Sequence, residues 1–205
     1  MVYIGWFLAG YLLGSIPVAW LLAKWVTGQD LRRLGSGNVG VMNTALSAAR
    51  WAGLLVFVSE IAKGVLAVSI PRALGMQEIT VGLVVVAVVM GTRWSVWLGF
   101  KGGRANTAGM AAFLLISWYA VIVVLGFWIL ARLVIHNSFK ATRITLFMLP
   151  VIIGSVTRSW WYALVGLALG LIYLGAQQPE TDDHLLIKER WTSFWAFLTS
   201  PRRGR

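Results

Sequence analysis

Six apolar runs, Val2 to Ala23, Trp51 to Ile70, Ile79 to Met90, Ala108 to Ile135, Ile144 to Val156 and Trp160 to Gly175, take up more than half of this 205-residue chain. Such segments are at home only in a bilayer, where a helix satisfies its own backbone hydrogen bonds. Apolar residues make up 59% of the sequence and charged ones 12%, against roughly 45–50% and 25% in soluble domains. The expected fold is all-α, an integral membrane protein forming a single polytopic domain over residues 1–205, with 176–205 a basic cytoplasmic carboxy-terminal tail. No fixed-period repeat, low-complexity segment or shift in composition marks a second domain. No charged side chain precedes Lys24 and no clear small-residue cleavage site follows the first run, so Val2 to Ala23 reads as a retained first span.

The number of crossings turns on Ala108 to Ile135, which is either one long span or two short ones turning near Ser117-Trp118. Lysine and arginine positions decide between them. With two crossings and the amino terminus outside, Lys24, Arg32, Arg33, Arg50, Arg93, Lys101, Arg104, Arg132, Lys140, Arg143 and the five carboxy-terminal cations all lie inside. Only Arg72 and Arg158 remain outside, with Lys63 in the membrane. One crossing would leave eight cations inside against nine outside. The positive-inside rule therefore predicts about seven transmembrane helices, several of them short, with the polar loops gathered on the cytoplasmic face.

Two of those loops are rich in glycine: Gly35-Ser36-Gly37-Asn38-Val39-Gly40 and Phe100-Lys101-Gly102-Gly103-Arg104. Glycine lets successive N–H groups converge on an anion, and the neighbouring cations add full positive charge, so each reads as a phosphate cradle at a membrane surface. The alternative use of glycine, close packing of helices, remains open at this point. Gly35 to Gly40 matches the spacing of a dinucleotide fingerprint, but Asp30-Leu31-Arg32-Arg33 precedes it where a hydrophobic strand is required. No Walker order occurs. The net charge of +11 is scattered among loops rather than gathered in a tail, which points to anionic lipid headgroups as partners and away from nucleic acid. With His136 and His184 as the only histidines and no cysteine, neither a metal site nor thiol chemistry is expected. Glu60 and Lys63, three apart in an apolar run, are expected to pair, because a lone charge there costs about 2.5–3.5 kcal/mol or more. Trp6, Trp25, Trp51, Trp94, Trp97, Trp160 and Trp161 stand near span ends as interface anchors.

Read in order, Asp30-Leu31-Arg32-x-x-Gly35-Ser36-Gly37-Asn38-x-Gly40-x-x-Asn43, Glu60-x-x-Lys63-Gly64 and Gly99-Phe100-Lys101-Gly102-Gly103 resemble the bacterial acyl-phosphate glycerol-3-phosphate acyltransferases, the PlsY family. Thr142-Arg143-Ile144-Thr145-Leu146 is a weaker third match, and the resemblance fades beyond it. It implies a seven-span protein of the bacterial cytoplasmic (inner) membrane that transfers an acyl group from a fatty acyl phosphate to glycerol 3-phosphate, giving lysophosphatidic acid, without a cofactor. On the same resemblance Ser36, Lys101 and Thr145 are the expected catalytic residues. Gly35, Gly37, Asn38, Gly40, Asn43, Gly102, Gly103, Arg104 and Arg143 are the expected substrate-binding ones.

The chain departs from the family pattern in several places. Gly91-Thr92 and Ser95 stand where the family has glycine-histidine and a proline, and Arg104-Ala105 where it has lysine-glycine. Leu46 replaces an arginine, and Gly175-Ala176-Gln177-Gln178 an arginine-histidine pair that His184 does not restore by spacing. These losses fit an alternative: a catalytically silent descendant that acts as an accessory subunit of a membrane protein complex. That alternative calls for an exposed helix face of small residues, of which Gly166 and Gly170 are the one pair in the last span.

Overall fold

The first apolar run is not one helix. In the computed structural model, which describes residues 1–177, α1 (Val2–Ser15) ends and α2 (Val18–Thr27) begins on either side of Ile16 and Pro17. Proline has no N–H to continue the ladder and pushes the residue before it out of the helical region; Ile16 has φ −57° and ψ 112°. The first span expected over Val2 to Ala23 is therefore built of two helices, which together run over Val2–Thr27. The break frees three carbonyls, and side chains from two other helical regions take them up. Lys63 Nζ donates to Gly14 O at 3.2 Å and Ile16 O at 2.8 Å. Ser95 Oγ donates to Ser15 O at 2.6 Å, and Thr92 Oγ1 shares its proton between Gly14 O at 3.2 Å and Val88 O at 3.0 Å.

The long run is divided, as the charges required. α6 (Asn106–Ile116) stops at Ser117, whose side chain caps α7 (Trp118–Ile135) by accepting from Ala120 N. The remaining helices are the short α3 (Val41–Ser47), α4 (Arg50–Ala73), α5 (Glu78–Arg93), α8 (Ser138–Thr157) and α9 (Trp160–Ala176). No strand occurs among the described residues. Among the described residues five segments are long and apolar enough to cross a membrane, counting the broken Val2–Thr27 as one, and α6 and α9 are two shorter apolar helices. At 1.5 Å per residue α6 is only about 16 Å long, too short to cross the hydrocarbon alone. The expected tail beyond Gln177, including His184, lies outside the described residues.

Glycines set the closeness of the bundle. A Cβ on Gly14 of α1 would overlap the Val88 carbonyl of α5, and one on Gly91 of α5 would overlap the Tyr11 carbonyl of α1. Gly64 of α4 meets Ala108 O of α6 in the same way. Gly166 and Gly170 are spent inside the chain, where an added Cβ would stand 3.2 Å from Pro150 Cα and 2.8 Å from Leu146 O of α8, and do not form a free docking face. The core they enclose runs along α5, whose Val81, Val85, Val88 and Val89 are at most 1% exposed, to Leu149 and Ile153 of α8 and Val165 and Leu169 of α9. On the face opposite the glycine-rich loops, Arg72 pairs with Glu78 at 3.0 Å and donates to Leu115 O at 2.9 Å, and Tyr162 donates to the same carboxylate.

Two stability outcomes follow from these contacts. Gly64→Ala should lower the thermal midpoint of the detergent-solubilised protein by an amount worth about 1–3 kcal/mol, because backbone rather than a movable side chain stands in the way. Gly5→Ala, with nothing within 4 Å of its added carbon, is the control and should be neutral or slightly stabilising. Ser95→Ala should cost about 1–3 kcal/mol by stranding the Ser15 carbonyl, read as a lower midpoint that Ser95→Thr largely restores.

Candidate active site

The first glycine-rich loop is held from within. Asp30 caps the short 3-10 turn Leu31–Arg33 by accepting from Arg32 N at 2.9 Å, and its carboxylate receives the Arg32 guanidinium at 2.6–3.2 Å. Those hydrogen bonds from Arg32 hold the Asp30 carboxyl well below the usual carboxylate range, so the pair stays charged across the physiological range. Arg32 Nη1 also donates to Leu98 O at 3.1 Å, which ties the first loop to the second. Gly35 and Gly37 have φ of +54° and +72°, conformations that suit glycine. Behind them Asn43, fully buried, donates to Leu31 O, Leu34 O and Asn38 O, and accepts from Ser36 N and Ser47 Oγ. An asparagine so engaged shapes the loop and has no hydrogen-bonding capacity left for a ligand. Ser36 is half-buried, and its Oγ accepts from Asn38 N at 3.4 Å.

The second loop folds back on the end of α5. Gly99 and Phe100 both have positive φ, and after them Gly102 N donates to Arg93 O and Gly103 N to Thr92 O, each at 3.0 Å. A Cβ on Gly102 would overlap Thr92 O, and one on Gly103 would overlap Val39 O of the first loop. The two loops are therefore in backbone contact at Gly103 and Val39. The expectation that Gly102 and Gly103 offer their N–H groups to an anion is corrected, since both are bound to carbonyls of α5. The two cations of the loop differ in exposure, with Lys101 exposed and Arg104 half-buried. Ala105, in the place of a family glycine, holds the same left-handed backbone, φ +61°, as the residue that caps α6.

Two cavities adjoin Asn106. The polar one, about 180 Å³, is lined by residues that include Asn38, Gly40, Glu60, Thr92, Arg104 and Asn106. Glu60 Oε1 pairs with Lys63 at 2.6 Å, as the sequence predicts, with both side chains buried. The second cavity, about 410 Å³, lies among α6, α7, α8 and α9, and its walls include Met110, Phe113, Val121, Leu149 and Leu169. That volume falls within the usual range for ligand pockets. Asn106 lines both.

Ser36, Asn38, Gly40, Gly103 and Arg104 thus gather around the contact between the two loops. Thr145 does not join them: it stands in the wall of the apolar cavity, and its Oγ1 donates to Ala141 O at 2.9 Å. Arg143 is exposed on α8, its guanidinium 5.6 Å from the centre of the Phe139 ring. Sequence reasoning missed Thr92 and Asn106, residue types with no chemical signature of their own. Only their places, at the end of α5 and the start of α6, bring them to the site.

Relatives and solved structures agree with this architecture. A family model described as glycerol-3-phosphate acyltransferase matches residues 4–180. A glycerol-3-phosphate acyltransferase of Synechococcus sp. (strain CC9902) is 34% identical over 177 residues, covering 84% of this chain and 86% of its own. Glycerol-3-phosphate acyltransferase 1 of Dehalococcoides mccartyi (strain ATCC BAA-2266 / KCTC 15142 / 195) is 37% identical over 171 residues, 80% of this chain and 82% of its own. The crystal structure of PlsY, an integral membrane glycerol 3-phosphate acyltransferase, in its glycerol 3-phosphate form, superposes with a TM-score of 0.76 at 22% identity. The match covers 98% of this chain and 100% of that one, and it shows a shared fold. The apolar helices and this fold make the protein a multi-pass membrane protein. With a family model spanning most of its length and relatives well above 30% identity, the chain belongs to the glycerol-3-phosphate acyltransferase family.

Proposed function

We propose that this protein transfers an acyl group from a fatty acyl phosphate to glycerol 3-phosphate, giving lysophosphatidic acid, at the cytoplasmic face of a bacterial inner membrane. The observation that carries the reading is that a polar cavity lined by Arg104 and an apolar cavity of about 410 Å³ have a lining residue, Asn106, in common. Such a junction suits a reaction that joins a charged, hydrophilic acceptor to a long hydrocarbon. The single domain and the basic tail belong to the same reading.

An acyl phosphate is already activated, so the step needs no nucleophilic side chain. The acceptor hydroxyl oxygen bonds to the acyl carbon, the bond from that carbon to the phosphate oxygen breaks, and the departing phosphate takes up the hydroxyl proton. The protein's part is to hold the two reactants together and to neutralise their phosphates. Lys101 and Arg104 supply the charge, and Ser36, Asn38 and the glycines Gly35, Gly37, Gly40, Gly102 and Gly103 shape the ground between the loops. Asn43 acts through the loop it organises, Thr145 through the wall of the apolar cavity, and Arg143 from the rim.

Purified protein in lipid, given palmitoyl phosphate and radiolabelled glycerol 3-phosphate, should form labelled lysophosphatidic acid, with about a hundredfold loss in Lys101→Ala. Product no greater than in that variant, from protein shown to be folded, would count against the enzyme reading. The apolar cavity adds a second expectation. Val124→Trp, which fills part of it, should slow transfer from palmitoyl phosphate at least tenfold more than from octanoyl phosphate. Equal slowing of both donors would remove the cavity from the acyl path.

A further inference from the structure

Glu60 is half satisfied. It is 8% exposed, and its Oε1 is paired with Lys63, but its Oε2 is buried and has no hydrogen-bond partner among the described residues. Buried polar atoms in folded proteins are bonded with few exceptions, and an ionised oxygen is the costliest kind to leave alone. The residue is not at a blind spot of the fold, since it lines the polar cavity together with Arg104.

A carboxylate oxygen accepts and never donates, so its partner must be an O–H or N–H donor. Lys63 already supplies the ammonium, and Arg104 in the same lining disfavours a second cation and favours an anion. Small phosphate esters with free hydroxyls meet both demands, with phosphate toward Arg104 and a hydroxyl toward Glu60. The reverse pose sets phosphate against carboxylate and is disfavoured by like charge.

We propose that Glu60 Oε2 accepts a hydrogen bond from a free hydroxyl of the acceptor and so fixes which way round the acceptor lies in the polar cavity. The assignment rests on the reading of the acceptor as glycerol 3-phosphate. Glu60 is then a recognition group for the hydroxyl end, distinct from the cations that recognise the phosphate end.

Calorimetric titration of the full chain in lipid nanodiscs tests this without any acyl donor, using glycerol 3-phosphate and propyl phosphate, which has the phosphate but no free hydroxyl. Wild type should bind glycerol 3-phosphate at least tenfold more tightly than propyl phosphate, as a hydrogen bond to a charged group warrants. In Glu60→Gln that ratio should fall below threefold, with propyl phosphate bound as before. The variant leaves Lys63 its two carbonyl partners, Gly14 O and Ile16 O. Should it still fail to fold, Glu60→Asp keeps the charge beside Lys63 while withdrawing the oxygen, and should show the same collapse of the ratio. An undiminished ratio in a folded variant overturns the Glu60 assignment and leaves the acyltransferase reading intact. Failure of wild type to bind glycerol 3-phosphate at all overturns both.

Discussion

Three carbonyls left open where the first span breaks are the point on which the rest of the structure depends. In the interior of the bundle the carbonyls of Gly14, Ser15 and Ile16 lose their helical partners and are bound by Lys63 of α4, Thr92 of α5 and Ser95 just beyond it, with Val18 N also reaching Ile16 O at 3.1 Å. An unsatisfied backbone group costs several kcal/mol in such surroundings. Three chain segments are therefore pinned at one depth, and Lys63 lies about 20 Å along α4 from its first residue by helical rise. Glycines 14 and 91 then bring α1 and α5 into backbone contact just where the pins act. The glycine-rich loops hang from this knot: Gly102 and Gly103 bond to the carbonyls of Arg93 and Thr92.

Much of this was legible in the chain, and the limits have physical causes. Charge counting divides Ala108 to Ile135 correctly because lysine and arginine are too costly to export at random, and the structure breaks the run at Ser117. The buried pairing of Glu60 with Lys63 is legible because neither could be tolerated alone. The break at Pro17 was not, since the partners that make it tolerable lie 47 to 80 residues away in sequence. Loop chemistry shows the same division. Glycine content foretells a tight turn, but the direction of the Gly102 and Gly103 N–H groups depends on where the end of α5 sits. Neither cavity has any sequence signature, because each is bounded by helices whose mutual placement no local pattern records.

The departures from the family pattern also take on a different weight. Thr92 and Ser95, read in the sequence as a missing histidine and a missing proline, are bonded to the carbonyls of the broken span. Ala105, where the family pattern has glycine, stands in the left-handed backbone region at the start of α6. Substitutions that looked like erosion are thus tied into the fold, and Gly166 and Gly170, the one pair that favoured a docking role, pack on α8.

The contrast between α5 and α7 bears on how a lipid reaches the apolar cavity. Helix α5 is buried over much of its length, whereas α7 contributes only Ala120 and Val121 to the interior. The α7 wall is made by half-buried side chains such as Val124 and Trp128, the latter donating to Thr142 Oγ1 of α8 at 2.9 Å, while the opposite walls belong to the glycine-pinned core. Local opening is cheapest where buried apolar contacts are fewest. Of the four helices around the cavity, α7 is accordingly the one with the fewest fully buried residues. The polar loops rest on the other, deeply buried half, through the bonds of Gly102 and Gly103 to the end of α5.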